Sequence, residues 1–214
     1  EMCIRDSIKG WSKSLSCMVS GRYYQQKGVN RLEPDMFKSY NFRVKLQAEI
    51  KSWLTIASNT KFFQSNYRYY GYEDEYNNFR KPTLHALASF VPVNPDGTAV
   101  SHTSMTQSST HYVMDGYNAM MQKGKSFGNK KTQEITTTFE ATFKLHRDFN
   151  VKADFSYTQG YLHNDYRSVN VQYSQYPGEV MTEPEGSFPN KYKEVGWDQN
   201  YYVADVYGTY NRTF

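Results

Sequence analysis

Tyr112, Asp115, Tyr117 and Asn118 stand close together in a stretch with neither helical nor strand periodicity. They are the candidate ligand contacts of this chain, because aromatic faces stack on sugar rings and loops are where binding residues concentrate. Glu73-Asp74-Glu75 offers oxygens for a calcium ion, yet it lacks the spaced Asp/Asn-x-Asp/Asn pattern and glycine turn of an EF-hand, and reads as solvated loop charge. His85, His102, His111, His146 and His163 are isolated from one another, without a His-Glu-x-x-His or other metal-ligand spacing, and read as surface or packing residues. No Gly-x-Ser-x-Gly elbow, phosphate-binding glycine loop or dinucleotide fingerprint occurs. A carboxylate pair for glycoside hydrolysis is defined by separation in space, and nothing in the sequence points to one. Asn211-Arg212-Thr213 matches a glycosylation acceptor but carries no weight at what reads as a short turn. The expectation is a protein with no cofactor, no metal and no catalytic residue.

The elements that must position these residues are unusual in composition. Hydrophobic residues make up 38% of 214, but 20 Tyr and 13 Phe raise the aromatic share to 17%, and the mean hydropathy is -0.80. The apolar surface is therefore thin, aromatic and spread along the chain, and the aromatic richness argues against disorder. The formal charge of +4 comes from scattered lysines and arginines, with no basic block that would track a nucleic-acid backbone. Cys3 and Cys17 form no CxxC pair, so neither a disulfide framework nor a zinc site is indicated. No apolar run reaches the roughly 18 residues of a transmembrane helix, and no signal-peptide pattern is present. A membrane-spanning barrel strand needs only about 9 to 11 alternating residues, so a barrel stays open.

Period-two alternation is the dominant pattern. Phe42, Val44, Leu46, Ala48 and Ile50 alternate with Arg43, Lys45, Gln47, Glu49 and Lys51, which gives a strand with one apolar and one polar face. Ile135, Thr137, Phe139, Ala141, Phe143 and Leu145 repeat it, and Val151, Ala153, Phe155 and Tyr157 follow after only 146 to 150, which predicts an antiparallel hairpin. Further strands are expected over 53–67, around Leu15 to Tyr23, and around Tyr202 to Tyr210. Pro82 before Thr83 to Leu87 could open a short helix. Pro92 to Thr98 reads as a tight turn with Gly97 supplying positive φ. Connections at 51–52 and 146–150 are minimal, whereas those at 68–130 and 161–198 are long, and the two kinds alternate. In an up-and-down sheet all long loops then share one end, as in an outer-membrane barrel. A passive porin-like barrel and a soluble carbohydrate-binding β-sandwich remain as alternatives, the sorted loops favouring a barrel over a sandwich. The aromatic residues Trp53, Tyr40 and Tyr210, near strand ends at tight turns, are expected to form an interfacial girdle.

Tyr23-Tyr24-Gln25-Gln26-Lys27-Gly28, Tyr40-Asn41-Phe42-Arg43-Val44-Lys45, Ser89 to Gly97, Tyr173-Ser174-Gln175-Tyr176-Pro177-Gly178 and Tyr207 to Phe214 together resemble SusC-type, TonB-linked outer-membrane transporters. The resemblance implies an all-β fold: an antiparallel transmembrane β-barrel fragment of about six strands from a 22-stranded barrel, with long extracellular loops. It implies import of oligosaccharide or peptide across the outer membrane of a Gram-negative bacterium, contact with outer-membrane lipid, a SusD-like surface lipoprotein over the long loops, and energy from a TonB complex acting through parts not seen here. Residues 1–7, Glu-Met-Cys-Ile-Arg-Asp-Ser, resemble a translated sequencing-library tag and are expected to be foreign, leaving 8–214 as barrel. An open sheet leaves edge amides unpaired in lipid, so the fragment alone is expected to be inactive.

Overall fold

The computed structural model describes residues 2–29, 34–70, 94–97, 125–169, 172–173, 178, 181–182 and 190–212. Seven strands form one antiparallel sheet: β1 (Met2–Trp11), β2 (Leu15–Lys27), β3 (Met36–Lys51), β4 (Leu54–Tyr70), β5 (Phe127–His146), β6 (Phe149–Ser168) and, after two short strands, β9 (Lys191–Tyr210). Each strand pairs with its sequence neighbour, in the order β1-β2-β3-β4-β5-β6-β9. The short strands β7 (Gln172–Tyr173) and β8 (Met181–Thr182) pair with each other. The described residues contain no helix; the stretch at 82–87 lies outside them. The sheet has one strand more than the sequence suggests, because β1 pairs with β2 from Met2↔Gln25 to Trp11↔Ser16. Main-chain pairing makes no demand on side-chain identity, so it is indifferent to whether residues 1–7 are foreign.

Connections sort by end. Residues 12–14, 52–53 and 147–148 turn the chain at one end, and 28–35, 71–126 and 169–190 at the other. The two tightest turns each follow a register shift, between Glu49 and Lys51 and between Lys144 and His146, so the extra residue of a bulge lets the strand swing into its turn. Adjacent turns are tied by main-chain bonds: Glu49 N donates to Ser14 O at 2.8 Å, Lys144 N to Trp53 O at 2.8 Å, and Asn211 N to Asp148 O at 2.9 Å.

The two faces differ in kind. Reading the register across β2 to β9, one face carries the rows Cys17–Leu46–Ser58–Phe139–Phe155–Ala204 and Leu15–Ala48–Ile56–Ala141–Ala153–Val206. Among the described residues nothing covers this face: Leu46, Ile56, Phe139 and Phe155 are all exposed, Phe139 to 54%. The other face carries Arg43, Lys45, Lys61, Glu134, Glu140, Lys152 and Asp154. The buried hydrophobic residues among those described are Tyr69 and Tyr166, so the sheet has no hydrophobic core of its own.

The strands outrun the hydropathic alternation. Expected loop residues 68–70, 127–130, 161–168 and 191–198 are strand. There the apolar face itself turns polar, through Gln133, Lys131 and Asn129 on β5 and Gln159, His163 and Asp165 on β6. A strand polar on both faces has no hydropathic period to read.

Gly128 shows how tightly that end is fitted. It lies between Tyr69 and Tyr166 in one row, and a Cβ there would fall inside the Tyr69 ring. The ring covers the glycine, an arrangement that fixes register in sheets. Gly128→Val is expected to cost about 1–3 kcal/mol by overpacking. Urea unfolding of the folded protein checks this, and Tyr69→Ala in the same chain should recover part of the loss.

Candidate functional site

The polar face is a wall of short hydrogen-bonded rungs. On β5 and β6, Thr136 Oγ1 lies 3.1 Å from Thr158 Oγ1, and Thr138 Oγ1 lies 2.7 Å from Ser156 Oγ. Opposed hydroxyls satisfy one another across strands without long side chains, which keeps the wall low. Towards the short turns, Lys152 Nζ meets Glu140 Oε2 at 2.8 Å and also lies over the Tyr207 ring, 5.9 Å from its centroid. On β2 to β4 the wall is basic: Arg22, Arg43 and Lys61 surround a hollow of about 460 Å³ that Glu134 closes from β5. Arg43 Nε donates to Asn59 Oδ1 at 2.9 Å, which pins its guanidinium along the wall. Charge is thus graded across the face, from basic on β2 to β4 to mixed on β5 to β9.

The end bearing the long connections forms the candidate site. Tyr69 and Tyr166 are 2% and 3% exposed, and Ser126 and Ser168 are buried beside them. Val169 N donates to Ser126 Oγ at 3.2 Å, Lys191 Nζ lies 5.6 Å from the Tyr166 ring centroid, and Tyr67 stacks on Tyr69 at 5.6 Å. Tyr67 Oη donates to Asp35 Oδ2 at 2.9 Å, linking the β2–β3 connection to β4. Next to this cluster, the buried Asn164 Oδ1 has no hydrogen-bond partner. A buried acceptor without a donor is a position where water or a ligand N–H or O–H gains a full hydrogen bond. Further along the same face of β9, Trp197 and Tyr201 are 49% and 57% exposed and offer flat apolar surfaces. None of these was singled out from the sequence. Their shared face would follow from alternate spacing on β6 and β9, once those strands are known to extend beyond their apolar halves.

The residues expected to touch ligand, Tyr112, Asp115, Tyr117 and Asn118, lie outside the described residues, as do Glu73 to Glu75, His85, His102 and His111. They belong to the 71–126 connection, which springs from Tyr70 and returns at Phe127, beside the tyrosine cluster. The tight turn expected around Gly97 is present: Gly97 has φ of 83°, and its N–H donates to Asn94 O at 2.9 Å. Asp96 in that turn accepts from Gly178 N at 2.8 Å, so the two longest connections touch. His163 Nε2 lies 3.5 Å from Glu194 Oε1 and 3.9 Å from Asp165 Oδ1. Among the described residues no group of three His, Cys, Asp or Glu could hold a metal.

The aromatic residues border the apolar band. Trp53 stacks on Phe143 at 6.4 Å with Lys51 Nζ 5.7 Å from its centroid, and Tyr210 is exposed beyond β9's apolar half, both at the short-turn end as expected. Tyr40 is instead within β3, 5.2 Å from Tyr23, on the opposite border. The tight-turn placement misjudged it because β3 begins at Met36 and so runs past Tyr40.

An uncovered apolar band, a polar face of linked side chains and connections sorted by length define a stretch of barrel wall of the kind found in β-barrel transporters. In fold the chain is similar to part of solved RagAB structures. The chain aligns with a structure of the RagAB peptide transporter at a TM-score of 0.53 and 13% identity, over 97% of this chain and 30% of that one. It aligns with the RagAB peptide importer in its closed-closed state at 0.52 and 13%, over 98% and 30%. The chain thus spans about 30% of the length of these structures. No protein-family model and no curated protein matches it.

The Lys152–Glu140 pair is only about a third exposed at each partner, yet pairs this accessible contribute little. Glu140→Gln is expected to change unfolding free energy by less than about 1 kcal/mol, an effect that should shrink further as salt is raised in a urea titration.

Proposed function

We propose that this chain is wall from the barrel of a SusC-type outer-membrane transporter, one that imports nutrient oligomers, oligosaccharide or peptide. The observation that carries the reading is the uncovered apolar band and the slope of its border. Towards the long connections the band ends at Tyr23 and Tyr40 on β2 and β3, at Phe62 and Ile135 on β4 and β5, and at Tyr157 and Tyr202 on β6 and β9. Relative to the register, that border moves four residues over five strand steps. With about 3.3 Å per residue and 4.8 Å between strands, a flat membrane surface crosses these strands at a tilt of roughly 30°, close to the 35–45° of closed barrels. On β3 the band runs from Tyr40 to Ile50, which at such tilts is roughly 25–30 Å tall and matches the lipid-facing belt of outer-membrane barrels.

The polar face then lines the lumen, and the tyrosine cluster with the long connections forms the outer mouth. The match to a peptide transporter and the SusC-like stretches support import over passive diffusion. In this reading a SusD-like lipoprotein covers the mouth, a TonB complex supplies energy through other parts of the protein, and the substrate crosses without covalent change, so no enzyme chemistry is needed. Tyr112, Asp115, Tyr117 and Asn118 supply ligand contacts from the 71–126 connection.

Charge on the apolar face is the direct test of the membrane reading. In the full-length parent barrel, Val44→Arg and Phe139→Arg should each cost about 2–4 kcal/mol near the bilayer midplane and abolish heat-resistant, membrane-assembled protein on unboiled gels, while Gln47→Arg on the polar face assembles normally. Normal assembly of both apolar-face variants would reverse the assigned faces. Tyr112→Ala with Tyr117→Ala should leave assembly unchanged and lower uptake of labelled peptide or oligosaccharide at least about tenfold, the scale of losing two stacking contacts of about 1 kcal/mol each. Uptake undiminished in cells lacking TonB would indicate a passive barrel.

A further inference from the structure

On the apolar side of the sheet, just beyond the border of the band, β3, β4 and β5 present Lys38, Arg68 and Lys131 around one shallow cleft of about 340 Å³, with Asn66 and Asn129 between them and Tyr40 at its lower edge. The register places Lys38, Asn66 and Lys131 in one row and Arg68 and Asn129 in the next. Lys38 and Lys131 are therefore two strand spacings apart, roughly 10 Å, with Arg68 offset from both. An anion of phosphate size seated between them lies within reach of all three cations and both amide groups. Arg68 is already held in position, its guanidinium 4.7 Å from the Phe127 centroid and 5.3 Å from that of Tyr70, an arrangement that leaves its N–H edge free to donate.

Among the described residues no carboxylate lines this cleft. The nearest on the same side are Asp165 on β6, which accepts from Asn129 Nδ2 at 2.8 Å, and Glu194 on β9, which lies by His163. Because the apolar border steps down across the sheet, these acids each stand eight residues above it, against two, four and six for Lys38, Lys131 and Arg68. In that order the three cations stand roughly 7, 13 and 20 Å above the last apolar residue on their own strands, so the two lysines lie nearest the zone where head groups lie and Arg68 stands over them.

We propose that Lys38, Arg68 and Lys131 form a binding site for the phosphate of an anionic lipid head group in the leaflet next to the long connections. The position follows from continuity: the acyl chains lie against Phe42, Phe62 and Ile135, Tyr40 at the band border forms the lower edge of the cleft, and the phosphate is held two to three rows above Phe42. The site rests on the membrane orientation proposed above. Its chemistry is phosphate recognition by a guanidinium, two ammonium groups and two amides.

The test uses the full-length parent barrel that contains this chain, purified in detergent and placed in nanodiscs containing either a phosphorylated glucosamine lipid or the same lipid after phosphatase treatment. Native mass spectrometry should show the phosphorylated lipid retained by the wild-type protein and the dephosphorylated lipid lost. In the triple variant Lys38→Gln, Arg68→Gln, Lys131→Gln, retention should fall by roughly a hundredfold, since each charge near an anionic lipid surface contributes about a factor of five, while heat-resistant assembly is unchanged. Inorganic phosphate at millimolar concentration should not displace the lipid; if it does so fully, the site is one for free phosphate and the lipid assignment falls. Equal retention by wild-type and triple variant, with assembly intact, overturns the site alone. Failure of the wild-type protein to assemble in a membrane overturns the orientation and the site together.

Discussion

The main-chain ladder is the constraint on which everything else in this molecule rests. With no hydrophobic core, the sheet is held by inter-strand hydrogen bonds running unbroken through five strand pairs from β2 to β9, apart from two bulges at the turns. In an apolar medium an unsatisfied amide costs several kcal/mol, so such a ladder must be continuous wherever it meets lipid. Continuity fixes register, and register fixes every row of side chains described above. The hydroxyl rungs, the tyrosine cluster around Gly128 and the cationic cleft are all products of that alignment, since none of them is local in sequence.

The two-residue period then divides labour between the faces. One set of side chains need only be apolar and of moderate size, which is why Thr60 and Thr137 can sit among Phe62 and Phe139 and bond to each other at 3.2 Å. The other set can vary freely in charge, because it faces polar surroundings and alters stability little through any one pair. Side chains on the polar face can therefore change without disturbing the ladder that carries them.

This division also explains how much was legible in the sequence. The apolar halves of β3, β5 and β6 stand out because one face is apolar and its partner charged, and the short hairpin between β5 and β6 follows from their spacing. The far halves, 127–134, 159–168 and 191–200, carry polar residues on both faces, so no period marks them as strand. The tyrosine cluster was invisible for a further reason: Tyr69 and Gly128 meet only because a long connection returns to the same register, and nothing local in the chain announces where it returns. Tyr40 looked like a turn-end aromatic because Phe42, two residues on, opens the clearest apolar run, while Met36 to Ser39 carry no such signal.

The strand count has a consequence of parity. In an up-and-down sheet alternate strands point the same way, so β1 and β9, the first and seventh across the sheet, run in the same direction. Joining them edge to edge would create a parallel pair, whether by rolling the sheet on itself or by setting copies side by side in one orientation. A closed wall that is antiparallel throughout, and that contains this sheet, therefore needs an odd number of additional strands between β9 and β1. Whatever supplies them must also resume the oblique register that these strands already share, or the apolar belt would break at the seam.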